Sequence, residues 1–214
     1  MLDALEPSAI PSEDAFAELE ARARAIVLRR MQSIAVPDAH ARTVAHLAAD
    51  IAARIGLRRK DVETVVEGAL LHDVGKTLVP RAILEKRRPL DHIEYATVKM
   101  HPDLGFQIVG RDVAPRVAAA VRHHHEWWNG TGYPARLASD EIPLEARIVG
   151  IADAFAAMRE RRPYRAARSK QQAVHEVEVN AGTQFDPRLV EPLIESVHLD
   201  ELEPRLRLLP RLFH

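Results

Sequence analysis

Residues 68–76 read Gly-Ala-Leu-Leu-His-Asp-Val-Gly-Lys, and this stretch decides the class of the fold. It closes a segment from about Lys60 to Asp73 whose pattern is that of a helix, with Gly75 as its stop. The run before His72 is apolar on every side, and a helix of that kind is a buried helix. Asp73 therefore arrives in an interior, where an unpartnered carboxylate would sooner take up a proton than stay charged. Two further segments repeat the anomaly. Residues 117–125 run Val-Ala-Ala-Ala-Val-Arg-His-His-His, and residues 146–155 run Ala-Arg-Ile-Val-Gly-Ile-Ala-Asp-Ala-Phe. Asp73 and Asp153 both need compensation, and a divalent cation supplies it economically.

Outward from these segments the chain reads as helix after helix. Ser12 is a natural N-cap, with Glu13 and Asp14 in the first turn, and Phe16, Leu19, Ala23, Ile26 and Val27 recur at helical spacing up to a stop before Pro37. Asp38 to Ile55 carries Val44, Leu47, Ala48, Ile51 and Ile55 on one face and ends at Gly56. Pro80 opens a short segment. Helices are expected over His92–Met100, Pro102–Val109, Val113–His125, Leu144–Met158, Ser169–Asn180 and Pro187–Val197, with residues 129–134 (NGTGYP) as a loop. No stretch reads as a strand and no repeat is visible. The expected class is all-α: a loose, flexible leader over 1–11, one domain over about 12–200, and a basic, apolar tail over 201–214.

Composition bounds the function. Apolar residues make up 47% of the 214 and charged residues 29%, as in soluble globular domains. A formal net charge of −1 argues against broad attraction to DNA or to a membrane surface. Without cysteine, thiolate sites are excluded and His, Asp and Glu remain as ligands. The acidic N-terminus lacks the pattern of a signal peptide, and no apolar run approaches the roughly 20 residues of a membrane span. A cytoplasmic location is the expectation.

Taken singly, the polar residues are ordinary. A His-Asp pair commonly sits at a helix end, three consecutive histidines can be a solvated helix end, Asp153 can be satisfied by nearby Arg147, and His40 and His101 can be caps. Lys76 can simply oppose a helix dipole. Their joint occurrence is what matters, because helices can bring His40, His72, Asp73, His101, His124, His125 and Asp153 around one point. Five imidazoles and two carboxylates suit two ions better than one. Asp73 is the natural bridge between them, since each carboxylate oxygen can serve one ion. Nitrogen and oxygen donors without sulfur suit Fe, Mn, Zn or Ni. Two such ions can hold a bridging hydroxide and grip a phosphoryl group. Lys76 can then place its ammonium beside the phosphate. The arginines at 159, 161, 162, 165 and 168 are either phosphate forks or a solvated face.

In order, the motifs are HARTV (40–44), LLHDVGK (70–76), HPDLG (101–105), HHEWWNGTGYP (124–134), ARIVGIAD (146–153), RPYR (162–165) and FDP (185–187). Together they resemble the HD-GYP family of HD-superfamily phosphohydrolases, over about residues 20–197. The resemblance implies a helical bundle with a central metal site, and hydrolysis of cyclic di-GMP to pGpG or GMP; some members accept other cyclic dinucleotides. It assigns His40, His72, Asp73, His101, His124, His125 and Asp153 to the metals, Fe or Mn foremost, with Zn and Ni compatible. It sets Lys76 at the scissile phosphate, Arg162 and Arg165 on substrate phosphates, and Gly132-Tyr133-Pro134 at the rim or against a signalling partner. Departures are visible. Val36 stands where some members carry a Glu for a third metal, so two ions are expected. Ala156 replaces a second Asp, and Asn129 stands for Asp with its turn chemistry intact. No sensory domain is visible, which points to a stand-alone enzyme or half of a two-protein system. The long helix from Ser12 offers a face for a homodimer. A cyclic-dinucleotide sensor with little turnover is the alternative, and an HD hydrolase of other nucleotides a third reading, disfavoured by the GYP segment.

Overall fold

The computed structural model describes residues 9–31, 38–161 and 166–207. They form ten helices: α1 Glu13–Met31, α2 Ala39–Arg54, α3 Arg59–Leu71, α4 Arg81–Leu84, α5 His92–Val98, α6 His101–Val109, α7 Pro115–His123, α8 Leu144–Arg159, α9 Lys170–Val179 and α10 Val190–Arg207. Three short 3-10 turns lie between them, over Val74–Leu78, Ser139–Glu141 and Pro187–Leu189. No strand occurs among the described residues; Ala181 and Phe185 form an isolated bridge. The expected all-α class is what the structure has.

Local chemistry sets the helix ends. The Ser12 hydroxyl accepts the Ala15 amide at 3.3 Å, and the Asp38 carboxylate accepts that of Ala41 at 2.9 Å. Asp91 with Glu94 and Ser169 with Gln172 form capping boxes at α5 and α9. Each cap satisfies amides that a first helical turn leaves without partners. Gly56 terminates α2 with φ +79°, a conformation that favours glycine.

α8 is the axis. It packs on α2, α3, α7 and α9, and Ile148, Val149, Ile151, Ala152 and Phe155 are buried along it. α2 packs on α3 and α8, and its alanines 41, 45, 48, 49 and 52 are buried. α1 lays Ala23, Ile26 and Val27 into the same core against α3. That apolar face, expected to serve a homodimer, is buried within the chain. α10 runs without a break to Arg207, through the boundary expected near residue 200. No helix among the described residues is long and apolar enough to cross a membrane.

Among the expected helices that end early, two ends matter for the site. α3 stops at Leu71 rather than Asp73, and a 3-10 turn follows. α7 starts at Pro115, behind an extended Ala114 as a following proline demands, and stops at His123 rather than His125. In each case the residues just past the helix end carry the site: His72 and Asp73 after α3, His124 and His125 after α7.

Candidate metal centre

The seven residues singled out in the sequence converge. His101, His124 and His125 place one nitrogen each within 4.8 Å of one another, and His40, His72 and Asp73 form a second such group. Asp73 lies between the groups. Its Oδ1 is 3.3 Å from His101 Nε2 and its Oδ2 is 3.4 Å from His72 Nε2. Asp153 joins the second group, its Oδ1 2.9 Å from His40 Nε2 and 3.9 Å from His72 Nε2. His101 Nε2 and His124 Nε2 are 3.3 Å apart.

The imidazoles are aimed by their own helices. Nδ1 of His72, His101 and His124 donates to the carbonyl three residues earlier, that of Ala69 (2.6 Å), Val98 (2.8 Å) and Val121 (2.8 Å). A carbonyl only accepts, so Nδ1 carries the proton and Nε2 keeps its lone pair for the interior. His40 is held otherwise: Nδ1 donates to the Glu160 carboxylate at 2.8 Å. A carboxylate behind an imidazole is a common support for a metal-binding histidine, raising its basicity. His125 is fixed by stacking on Tyr133, ring centroids 4.9 Å apart.

Two glycines allow this convergence. A Cβ on Gly75 would lie 1.9 Å from the His101 carbonyl oxygen and 2.5 Å from the Gly105 nitrogen. The bare backbone lets the 3-10 turn seat against α6, bringing His101 to Asp73. A Cβ on Gly150 would lie 2.6 Å from the His124 carbonyl oxygen, so α8 reaches α7 through the same device.

Burial alone would raise the Asp73 pKa, but the His72 imidazole and the Lys76 ammonium hold the carboxyl well below the usual range. His40 is opposed by burial, yet Asp153 and Glu160 raise it to about 9. His72 is likewise raised against its burial, chiefly by Asp73. His124 and His125 are pushed well below the ordinary value by burial and by neighbouring imidazoles. The ion-free cluster thus favours an anionic Asp73 and a proton on His40.

These residues fit divalent cations. His72 Nε2 and Asp73 Oδ1 are buried and make no hydrogen bond, an arrangement that costs free energy unless a cation answers it. The donors are all nitrogen and oxygen, and the lone pairs point at a shared space.

The alternatives weighed for single residues resolve individually. Arg147 turns away from Asp153 to Asp186 (2.7 Å) and Asp140 (3.0 Å). Lys76 lies in the 3-10 turn rather than on the helix of His72, and its Nζ meets Asp73 Oδ2 at 2.6 Å. Arg159 donates to the Arg168 carbonyl, and Arg168 pairs with Glu176. Arg162 and Arg165 lie outside the described residues, as does Val36. Asn129 makes the expected turn, its Oδ1 accepting the Thr131 amide at 3.0 Å. Ala156 is buried in the core, and Glu160, one turn on, is the carboxylate that reaches His40.

Two residues escaped the sequence reading. Glu160 is 120 positions from His40, with no local signal to couple them. Glu126, inside the HHE motif, is 7% exposed; its carboxylate accepts the Ala135 amide (2.7 Å) and the Leu137 amide (3.2 Å), pinning the GYP loop beneath the site. Its place directly after His124 and His125, inside the motif, was the available hint. Tyr133 and Pro134 of that loop are joined by a cis peptide bond, and Tyr133 is further covered by Lys99, whose Nζ is 4.5 Å from the ring centroid.

An HD domain model matches residues 16–189. The chain belongs to the HD domain family. Its similarity to a cyclic di-GMP phosphodiesterase response regulator of Xanthomonas campestris is 35% identity over 187 residues, 84% of this chain and 49% of that protein. A 3'3'-cGAMP-specific phosphodiesterase of Vibrio cholerae is 38% identical over 169 residues, 76% of this chain and 31% of that protein. These relatives, with the motifs, support the HD-GYP branch. The chain spans half or less of the length of each of these two relatives. Among solved structures, an HDGYP protein from Bdellovibrio bacteriovorus matches with a TM-score of 0.64 and 20% identity, over 90% of this HD domain chain and 66% of that one. That likeness bears on the fold.

Proposed function

We propose that this HD domain protein is a metal-dependent phosphodiesterase that hydrolyses cyclic di-GMP or a related cyclic dinucleotide to its linear form or onward to mononucleotides. The observation that carries the reading is Asp73, with one oxygen facing His101 and the other facing His72, set between two groups of histidines. Two divalent ions, Fe or Mn foremost, would be held by His101, His124 and His125 on one side and by His40, His72 and Asp153 on the other, with Asp73 shared. Bound there, such ions supply Lewis acidity toward phosphoryl oxygens and lower the pKa of water. The chain's own residues do the rest. The Nδ1 donations keep the Nε2 lone pairs aimed inward. Lys76, 38% exposed at the cavity wall, presents an ammonium to a phosphate oxygen as charge gathers on it. Arg162 and Arg165 are proposed to take the second phosphate. The relatives named for cyclic dinucleotide hydrolysis support the substrate class.

The test is hydrolysis of cyclic di-GMP, followed by chromatography, by protein purified without chelator and supplied with Mn²⁺ or Fe²⁺, with metal counted on the same sample. Conversion to pGpG or GMP with about two metals per chain supports the reading, provided that replacing His72 and Asp73 with Ala abolishes turnover. Bound metal without conversion overturns the substrate assignment, and absence of bound metal overturns the site.

A further inference from the structure

The cavity beside the cluster holds about 300 Å³, at the lower end of the roughly 300–1,000 Å³ typical of ligand sites. Lys76, His125 and Asp153 line it, and so do Trp127, Gln184 and Phe185. The two tryptophans of the chain sit side by side here and are treated differently. Trp128 is engaged: the Arg188 and Arg147 guanidinium carbons stand 5.0 and 5.6 Å from its ring centroid. Trp127 carries no ring or cation partner among the described residues and is 38% exposed, although it lines the cavity. An indole normally buries 150–250 Å², so one left partly bare in a polar cavity returns little to stability.

Its backbone, by contrast, is tightly held. The Gly130 amide donates to the Trp127 carbonyl at 2.8 Å, and the Trp128 amide donates to the Gln184 carbonyl at 3.1 Å. A Cβ on Gly132 would lie 2.2 Å from the Trp127 nitrogen, so the loop closes directly against this residue. Glu126 anchors the same loop from the other side. Trp127 follows His125 by two positions, which keeps their backbones within about 7 Å, comparable with the span from phosphate to base in a nucleotide.

We propose that Trp127 is a platform on which a purine base of the bound dinucleotide stacks while its phosphate meets the metal cluster. The inference rests on the cyclic dinucleotide reading above and deepens it. Stacking reads the face of a base and not its edge, so it tolerates adenine in place of guanine. The chain then accepts both cyclic di-GMP and 3'3'-cGAMP, with discrimination between them left to groups other than Trp127.

The test compares wild type with Trp127→Ala and Trp127→Phe in steady-state hydrolysis of both dinucleotides. Losing the stack raises KM by roughly 5- to 150-fold for each and leaves kcat unchanged, because stacking holds ground and transition states alike; Phe restores most of the loss. If the Ala variant does not fold, Trp127→Leu, which keeps bulk without a π face, replaces it. An unchanged KM in a variant that melts like wild type overturns the platform. Equilibrium binding separates this inference from the hydrolase reading, since indole emission arises from Trp127 and Trp128 alone. Quenching by cyclic di-GMP that disappears in Trp127→Phe, in a protein that hydrolyses nothing, sinks the hydrolase reading and keeps the platform. Neither hydrolysis nor quenching sinks both.

Discussion

Gly75→Ala tests how closely the metal centre depends on backbone contact. The added methyl would sit 1.9 Å from the His101 carbonyl oxygen. A carbon and a carbonyl oxygen rest no closer than about 3.3 Å, so the 3-10 turn and α6 must part by about 1.4 Å. The neighbouring atom is backbone, and no rotamer change relieves the clash. His101 Nε2 is 3.3 Å from Asp73 Oδ1, and those residues stand on the two sides of the opened contact. Metal sites tolerate errors of about 0.2 Å in ligand distance, so the shared carboxylate and the His101 group no longer serve one ion together. The expected result is loss of one metal per chain, measured by elemental analysis, with kcat down about 100-fold or more, as misplacements near 1 Å produce. Gly56→Ala is the control. Its φ of +79° strains any side chain, but nothing lies within 4 Å of the added carbon. It loses about 1–2 kcal/mol of stability and keeps its metals. A Gly75→Ala protein with full metal content and wild-type turnover refutes the reasoning.

Metal uptake should depend on pH through His40. Its pKa of about 9 in the ion-free fold exceeds its ordinary value near 6.5, so its contribution to stability is complete below about pH 6.5 and is lost as pH rises through about 9. Bound metal needs the neutral imidazole, so apparent affinity climbs across the same window, by up to about tenfold per unit for that proton. Calorimetry in buffers of differing ionisation enthalpy reads the released proton, and an affinity flat from about pH 6.5 to about pH 9 excludes the scheme. Glu160→Ala removes the acceptor behind His40 and is expected to weaken metal binding roughly 10- to 100-fold, with Glu160→Gln recovering part of it, by competition with a fluorescent chelator. Glu126→Ala strands the Ala135 and Leu137 amides and costs about 2–4 kcal/mol in urea unfolding; a variant as stable as wild type shows that the carboxylate does not pin the loop.

The helices were legible because the core is periodic: Ala23, Ile26, Val44 and Ile51 announce their faces at short range, and Gly56 and Ser12 punctuate them. His72, Asp73, His124, His125 and Asp153 were legible because polar groups stood out in apolar runs, whereas His40 and His101 became legible only through their joint occurrence with these in the motifs. Helix ends at His72 and His124 were misplaced by a few residues, since side-chain donation to a carbonyl three residues back leaves no trace in hydrophobic periodicity. Glu160 was invisible for a different reason. It is an ordinary acidic residue at a helix terminus, and its partner is brought to it by packing of α2 on α8. The role of Gly75 as a contact, where the sequence suggested a stop, is likewise a fact about α6.

Each of His72, His101 and His124 takes its orientation from a carbonyl in its own turn, three positions upstream. The instructions for aiming these ligands are thus written locally, each within a single turn of its own segment. The proposed base platform, Trp127, lies only two residues beyond His125, but its side chain takes no part in that aiming. Selection can therefore rewrite which nucleotide enters without disturbing the apparatus that would cut it, so two chains can share this centre to the atom and still answer to different signals.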